Sequence, residues 1–175
     1  MTKQELETCI GEYGKDIYSF CKYLTNNTLE ADDLYQDTFL TAVELIEKIE
    51  YSNNPKSYLL SIALRIWKNK KRKFAWRKRI ADAQFMADER YIDMSESAEL
   101  SLEERITNKE KDESIRMAVN GLPEKLKIVV LLFYMEDLQV AQIAEMMKIP
   151  IGTVLSRLHR ARKILKKELE DVLNG

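Results

Sequence analysis

The sequence predicts an all-α protein: two small helical domains joined by a flexible linker, the second a helix-turn-helix. Three observations carry that expectation. Only five Gly and three Pro occur in 175 residues, too few for the turns of a sandwich or barrel. Apolar residues recur at the 3.6-residue spacing of amphipathic helices. All three prolines stand at expected helix starts, where a missing N–H costs little. A hydrophobic content of 45% is ample for buried cores, and the length suits one ordinary domain or two small ones.

A first helix is expected over Lys3 to Leu24, with Leu6, Ile10, Tyr13, Ile17, Phe20, Cys21 and Leu24 on one face, before Asn26, Asn27 and Thr28 break it. The second runs from Leu29 to Ile49, with Thr28 as N-cap and Ala31, Leu34, Tyr35, Thr38, Ala42, Leu45 and Ile49 inward. Its first turns gather Asp32, Asp33, Gln36 and Asp37, and acids there also suit the positive end of a helix dipole. Asn54 caps and Pro55 opens a third helix, which continues through Tyr58, Leu59, Ile62, Ala63 and Ile66 into a basic run, with or without a break.

Hydrophobic spacing is lost from Ala81, and 81–108 reads as an acidic linker between domains at 1–80 and 109–175. A helix resumes near Ser101 and stops at Asn120-Gly121. Pro123 starts the next helix, where Leu126, Val129, Val130 and Phe133 make a dense apolar face. A short helix spans Gln139 to Met147, with Leu138-Gln139 in place of a Ser or Thr cap, a loss of about 1 kcal/mol at its start. The turn Lys148-Ile149-Pro150-Ile151-Gly152 leads to a final helix over 152–172, whose Val154, Leu158, Ala161 and Leu165 share an arc of about 60°.

Charge is segregated along the chain. The formal net charge is −1, yet 28–50 holds seven acids and one Lys, while Arg65 to Arg79 holds nine Lys/Arg and no acid. Asp88 to Glu104 reverses the sign with seven acids against one Arg, and Arg157 to Lys167 adds six Lys/Arg without an acid. Concentrated cations are the electrostatic footprint of phosphate binding, because contact releases condensed counterions. Trp67, Phe74 and Trp76, interleaved in the first basic run, offer faces on which unpaired bases stack; ordinary core packing is the competing reading for Trp67 and Trp76.

A short helix, a turn with Pro and Gly, and a long basic helix make a helix-turn-helix, whose second helix enters the major groove. Opposite its buried stripe stand Ser156, His159, Arg160, Lys163 and Lys167. Ser156, His159 and Arg160 lie in the early turns and are the base-reading candidates; Arg162, Lys163 and Lys167 suit backbone contacts. No metal site is expected, since His159 is the only histidine and has no Cys near it. Cys9 and Cys21, about 18 Å apart on one helix, cannot pair. Without a signal peptide or an apolar run near 18 residues, the expected location is the cytoplasm and not a membrane. No Gly-rich phosphate loop or nucleophile with a base is present, so neither enzyme nor cofactor is expected.

These motifs resemble a known family. LPEKLKIVVLLFYMEDLQVAQIAEMMKIPIGTVLSRLHRARKILKKEL is similar to the −35-binding domain of bacterial sigma factors of the extracytoplasmic-function group, most specifically in IPIGTVLSRLHRARKIL. EADDLYQDTFLTAVELI resembles that family's polymerase-docking helix, and NPKSYLLSIALRIWKNKKRK its −10-reading segment. The resemblance implies that Asp32, Asp33, Gln36, Asp37 and Phe39 dock on core RNA polymerase. It implies that Tyr58, Arg65, Trp67, Lys68, Asn69, Lys71 and Arg72 hold the −10 element, where a base leaves the stack. Thr153, Ser156, Arg157, His159, Arg160, Arg162 and Lys163 would contact the −35 element.

The implied function is a non-enzymatic, alternative sigma factor directing initiation at a stress or envelope-signal regulon. The implied partners are core polymerase, double-stranded and melted promoter DNA, and an anti-sigma factor of the kind commonly anchored in a membrane, with no small-molecule substrate. Two departures stand out: Leu155 occupies a position usually Lys or Arg, where it either meets a thymine methyl or packs, and Leu64-Arg65-Ile66 replaces a common Asn near the −10 pocket. An autonomous dimeric helix-turn-helix regulator explains the last domain but leaves the acidic helix and the first basic cluster unused. A helical RNA-binding scaffold explains the charge but not the turn.

Overall fold

The computed structural model describes residues 1–51, 53–84 and 106–174. Helices α1 (Lys3–Thr25), α2 (Thr28–Glu44) and α3 (Pro55–Gln84) form the first unit. Helices α4 (Ile106–Asn120), α5 (Glu124–Val130), α6 (Val140–Met147) and α7 (Ile151–Leu173) form the second, and no strand occurs among the described residues.

In the first unit α1, α2 and α3 all pack on one another. Ile17 and Phe20 of α1, Leu34 of α2 and Leu59, Leu60 and Ile62 of α3 are fully buried, as the 3.6-residue stripes require. Thr2 closes the start of α1 with a capping box, its hydroxyl accepting from Glu5 N–H while the Glu5 carboxylate accepts from Thr2 N–H. Asn27, not Thr28, caps α2: its side-chain oxygen accepts from Glu30 N–H at 3.1 Å. Adjacent Asn and Thr are both good caps, and the left-handed turn at Asn26 decides which is in register. The second helix also ends at Glu44 rather than Ile49; a short 3₁₀ turn, Ile46–Lys48, follows and still buries Ile49.

Asn54 caps α3 as expected, accepting from Ser57 N–H at 3.0 Å. The helix then continues without a break for 30 residues, past the domain end expected at residue 80. Lys, Arg and Ala propagate a helix well even where nothing packs against it. Residues 85–105, with most of the expected acidic linker and the helix start near Ser101, lie outside the described residues.

In the second unit α5 passes into a π turn, Leu131–Met135, that continues the apolar face. At the start of α6 the Gln142 side-chain oxygen accepts from Gln139 N–H at 3.0 Å. A Gln three residues into the helix thus forms the return half of a capping box, while Gln139 makes no side-chain cap bond of its own, as the missing Ser or Thr implies. Lys148 ends α6 in the left-handed region with φ 54°, and α7 begins at Ile151, one residue before the expected start. Val154, Leu158 and Ala161 are buried, as the arc predicts.

The two units abut. One apolar cluster extends from Phe20 and Trp67 to Val119, Ile128 and Leu132. Glu136, just after the π turn, buries its side chain completely, with its carboxylate 2.9 Å from Lys56 Nζ on the first turn of α3. Lys56 also lies 2.8 Å from Asp16 of α1. Burial raises the Glu136 carboxyl above the usual carboxylate range, and Lys56 only partly offsets it. Periodicity could not disclose this contact, because it joins residues eighty apart in sequence on faces that each helix also uses locally.

Removing one partner of a buried pair strands the other charge, whereas an exposed pair contributes little. Lys56→Met should therefore cost about 3 kcal/mol of unfolding free energy in urea, and Asp16→Asn under about 1 kcal/mol. Equal losses would mean that Glu136 is not the group that needs Lys56.

Candidate nucleic-acid interface

Along α2 the buried residues Ala31, Leu34, Thr38 and Ala42 turn the opposite face to solvent. That face carries Asp33 and Gln36, both exposed, with Leu29, Leu40 and Val43 at 77%, 64% and 50% exposure. The three apolar residues were missed by sequence reasoning, although their spacing from Asp33 and Gln36 is the complement of the core stripe. The other predicted docking residues are partly engaged. Asp32 accepts a hydrogen bond from the Tyr18 hydroxyl at 2.7 Å, and Asp37 pairs with Lys70 of α3 at 2.6 Å. Phe39 is half-buried, edge-on to Tyr35 at 4.9 Å between ring centres.

Helix α3 changes character at Trp67. Leu59, Leu60, Ile62, Ala63, Leu64 and Trp67 are buried, and from Lys68 to Ala83 every residue is exposed. Trp67 is only 7% exposed and lies in the core, with Lys71 Nζ 4.8 Å from its ring centre. Its ring thus packs in the core in this arrangement, as the competing reading of Trp67 expects. Tyr58 is half-buried against the same core. Arg65, Asn69 and Arg72 are exposed, Arg72 donating to Asn69 at 3.3 Å. The free aromatic rings are Phe74 and Trp76, at 70% and 65% exposure.

In the helix-turn-helix, Ser156, His159, Arg160 and Lys163 are exposed on α7, and Thr153 and Arg157 are half-buried. Arg162 is held from the side: its Nε donates to the Tyr134 hydroxyl at 2.5 Å and its guanidinium lies over Phe133 and Tyr134. Leu155 is 52% exposed, so it does not pack into the core.

A cleft of about 910 Å³ separates the basic half of α3 from α5. Asp33, Lys70, Phe74 and Arg77 line one wall, and Asn120 and Glu124 the other. Across it Lys71 forms an ion pair with Glu124. Lys68, although exposed along part of its length, titrates below the ordinary lysine range, through partial desolvation of its ammonium and the nearby Arg157 of α7. The −10 and −35 candidate sets thus approach each other at this point. Lys127, buried on α5, donates to Asn26 at 3.4 Å, and burial pulls it down to about 8.

Two family profiles match this layout. Sigma-70 region 2 matches residues 9–78, covering most of α1, all of α2 and most of α3, and sigma-70 region 4 matches residues 112–165, covering the helix-turn-helix. The chain belongs to the sigma-70 family, in its extracytoplasmic-function group. The ECF RNA polymerase sigma factor SigW of Bacillus subtilis is 29% identical, over 91% of this chain and 86% of its own. The ECF RNA polymerase sigma-E factor of Haemophilus influenzae is 28% identical, over 87% and 80%. The sigma factor RpoE of Bartonella quintana, solved with the anti-sigma factor NepR, shares the fold at a TM-score of 0.69 and 23% identity, over 96% of each chain. CnrH, solved with the cytosolic domain of CnrY, gives 0.66 at 14% identity, over 97% and 90%.

Within this sigma-family chain Lys127 supplies a pH test. The unfolded chain holds its proton up to about 10.5 and the folded one only to about 8, so stability rises with pH between those values. Urea titrations from pH 7.5 to 10 should show a steeper rise for the wild type than for Lys127→Met. Parallel slopes would place the cost of Lys127 elsewhere.

Proposed function

We propose that the chain acts as an alternative, dissociable sigma factor in the cytoplasm: it binds core RNA polymerase and directs initiation at two-part promoters of a specific regulon. The observation that carries this reading is the coincidence of two separate family matches with separate charged surfaces. Region 2 holds the acidic α2 and the basic α3; region 4 holds the basic face of α7. A repressor-like helix-turn-helix alone would leave the first unit without a role.

The α2 face would dock on polymerase. Asp33 and Gln36, flanked by Leu29, Leu40 and Val43, combine charge for oriented association with apolar area for affinity. Asp32 and Asp37 contribute less freely, being tied to Tyr18 and Lys70. On α3, Arg65, Asn69 and Arg72 would hold the melted −10 strand, joined by Lys68 and Lys71 once Glu124 and Arg157 have moved away. On α7, Ser156, His159 and Arg160 would read base edges, and Lys163 with Arg157 would grip phosphates. The chain itself catalyses nothing in this scheme. Anti-sigma complexes of the fold relatives support a similar inhibitory partner here.

Two experiments test the reading. Asp33→Arg should weaken capture of purified core polymerase by about tenfold or more; wild-type capture would remove α2 from docking, and no capture by the wild type would end the sigma reading. Arg160→Ala should lower runoff transcription by about 5- to 150-fold on templates with an intact −35 element and hardly at all on templates without one. Equal loss on both would exclude Arg160 from base readout.

A further inference from the structure

The geometry points to Tyr134 as a positioning residue: from outside the helix-turn-helix it holds the Arg162 guanidinium ready for a phosphate of the −35 duplex, an assignment that rests on the sigma-factor reading above. Tyr134 belongs to the π turn, Leu131–Met135. Leu131 and Leu132 enter the core there, Phe133 is half-buried and Tyr134 is 52% exposed. Turns of this kind are rare and recur at functional sites. The two rings meet edge to face with 4.9 Å between centres, and Arg162 of α7 lies over both, its Cζ 5.9 Å from the Phe133 ring centre and 5.7 Å from that of Tyr134. Its Nε donates to the Tyr134 hydroxyl.

Arg162 is exposed, and no carboxylate among the described residues lies within ion-pair distance of it. Surface contacts of this kind add little to stability, so the fold alone gives small reason to fix the side chain. A ligand gains from it. An arginine loose in solvent gives up rotamer freedom when it grips, whereas this one is already ordered by two rings and a hydroxyl. The hydroxyl occupies Nε alone, which leaves both terminal nitrogens, the planar pair that holds a phosphate bidentately. At about 100° per residue, Arg162 stands about 20° from Leu155 and about 60° from His159 around α7. It therefore borders the exposed side that carries Ser156, His159, Arg160 and Lys163. A helix laid in the major groove meets the phosphate backbone along such a border, and base edges at its centre. Charge complementarity selects the same occupant, since no acid interrupts the chain from Arg157 to Lys167.

The test measures binding of holoenzyme, assembled from core polymerase and full-length chain, to a promoter that the wild type directs, over a series of salt concentrations. The variants are Tyr134→Phe, which keeps the ring and removes the hydroxyl, Arg162→Gln, and the two together. Each phosphate contact steepens the fall of log affinity with log salt by about 0.9, so Arg162→Gln should flatten the slope by about that amount. Tyr134→Phe should lower affinity by about 2- to 13-fold and flatten the slope in the same direction. Added to Arg162→Gln, it should change nothing further. On a template cut short of the −35 position all the proteins should bind alike. A loss of equal factor in both backgrounds would make Tyr134 an independent contact, and a loss with unchanged slope would make its role structural. Either result overturns the assignment, as do wild-type binding by Tyr134→Phe, a wild-type slope in Arg162→Gln, or a loss that persists on the short template. Core capture is read separately, so a wild type that never engages polymerase would indict the function and not Tyr134.

Discussion

The structure depends on one helix doing two incompatible things. The first half of α3 must be apolar enough to complete the core with α1 and α2, and its second half must carry a density of positive charge that no core could tolerate. Trp67 is where the two halves meet. Its ring closes the core, while its face supports the Lys71 ammonium, a contact that holds a cation at the surface without burying it. Beyond that point no described residue buries the helix, so its persistence rests on intrinsic propensity and on the anchorage of its first three turns. The Lys70–Asp37 pair is half-exposed on both sides and adds little.

That division also sets how the second unit sits. Its contacts with the first combine an apolar cluster with ionisable groups buried at the join. Among the described residues Lys127 has only a carboxamide oxygen as partner, and Glu136 has Lys56 without enough attraction to cancel its burial. Burial disfavours the charged form of each, and both oppose the docking that the apolar residues favour. An interface of this composition is weaker than its apolar area implies.

Local signals in the sequence carried most of the fold. Three apolar stripes, the Asn54-Pro55 start and the Pro-Gly turn before α7 each act within a few residues, and each appears as expected except at Ile10, which the first stripe placed inward and which is 40% exposed. The misses share a cause: they depend on partners far away in sequence or on choices between equivalent neighbours. Asn27 and Thr28 are nearly equal caps. The burial of Glu136 and Lys127 requires the other domain, and the exposed Leu29, Leu40 and Val43 were hidden among residues judged by the core they do not join. Trp67 and Trp76 were indistinguishable as composition, since both are indoles in a basic run; only burial separates them.

A net charge of −1 conceals these arrangements because field, not total charge, governs association. Acids on α2 and cations on α3 lie on adjacent, contacting helices, bridged once by Asp37 and Lys70. At distances beyond a Debye length of about 8 Å the two largely cancel, so bulk DNA exerts little pull on the free chain. At contact distance they are separate surfaces, and each can recognise its own partner. Docking of the α2 acids on a cationic surface would leave the α3 and α7 cations uncompensated, strengthening their hold on phosphate. Polymerase binding and promoter binding are then coupled through charge alone, before any change of shape.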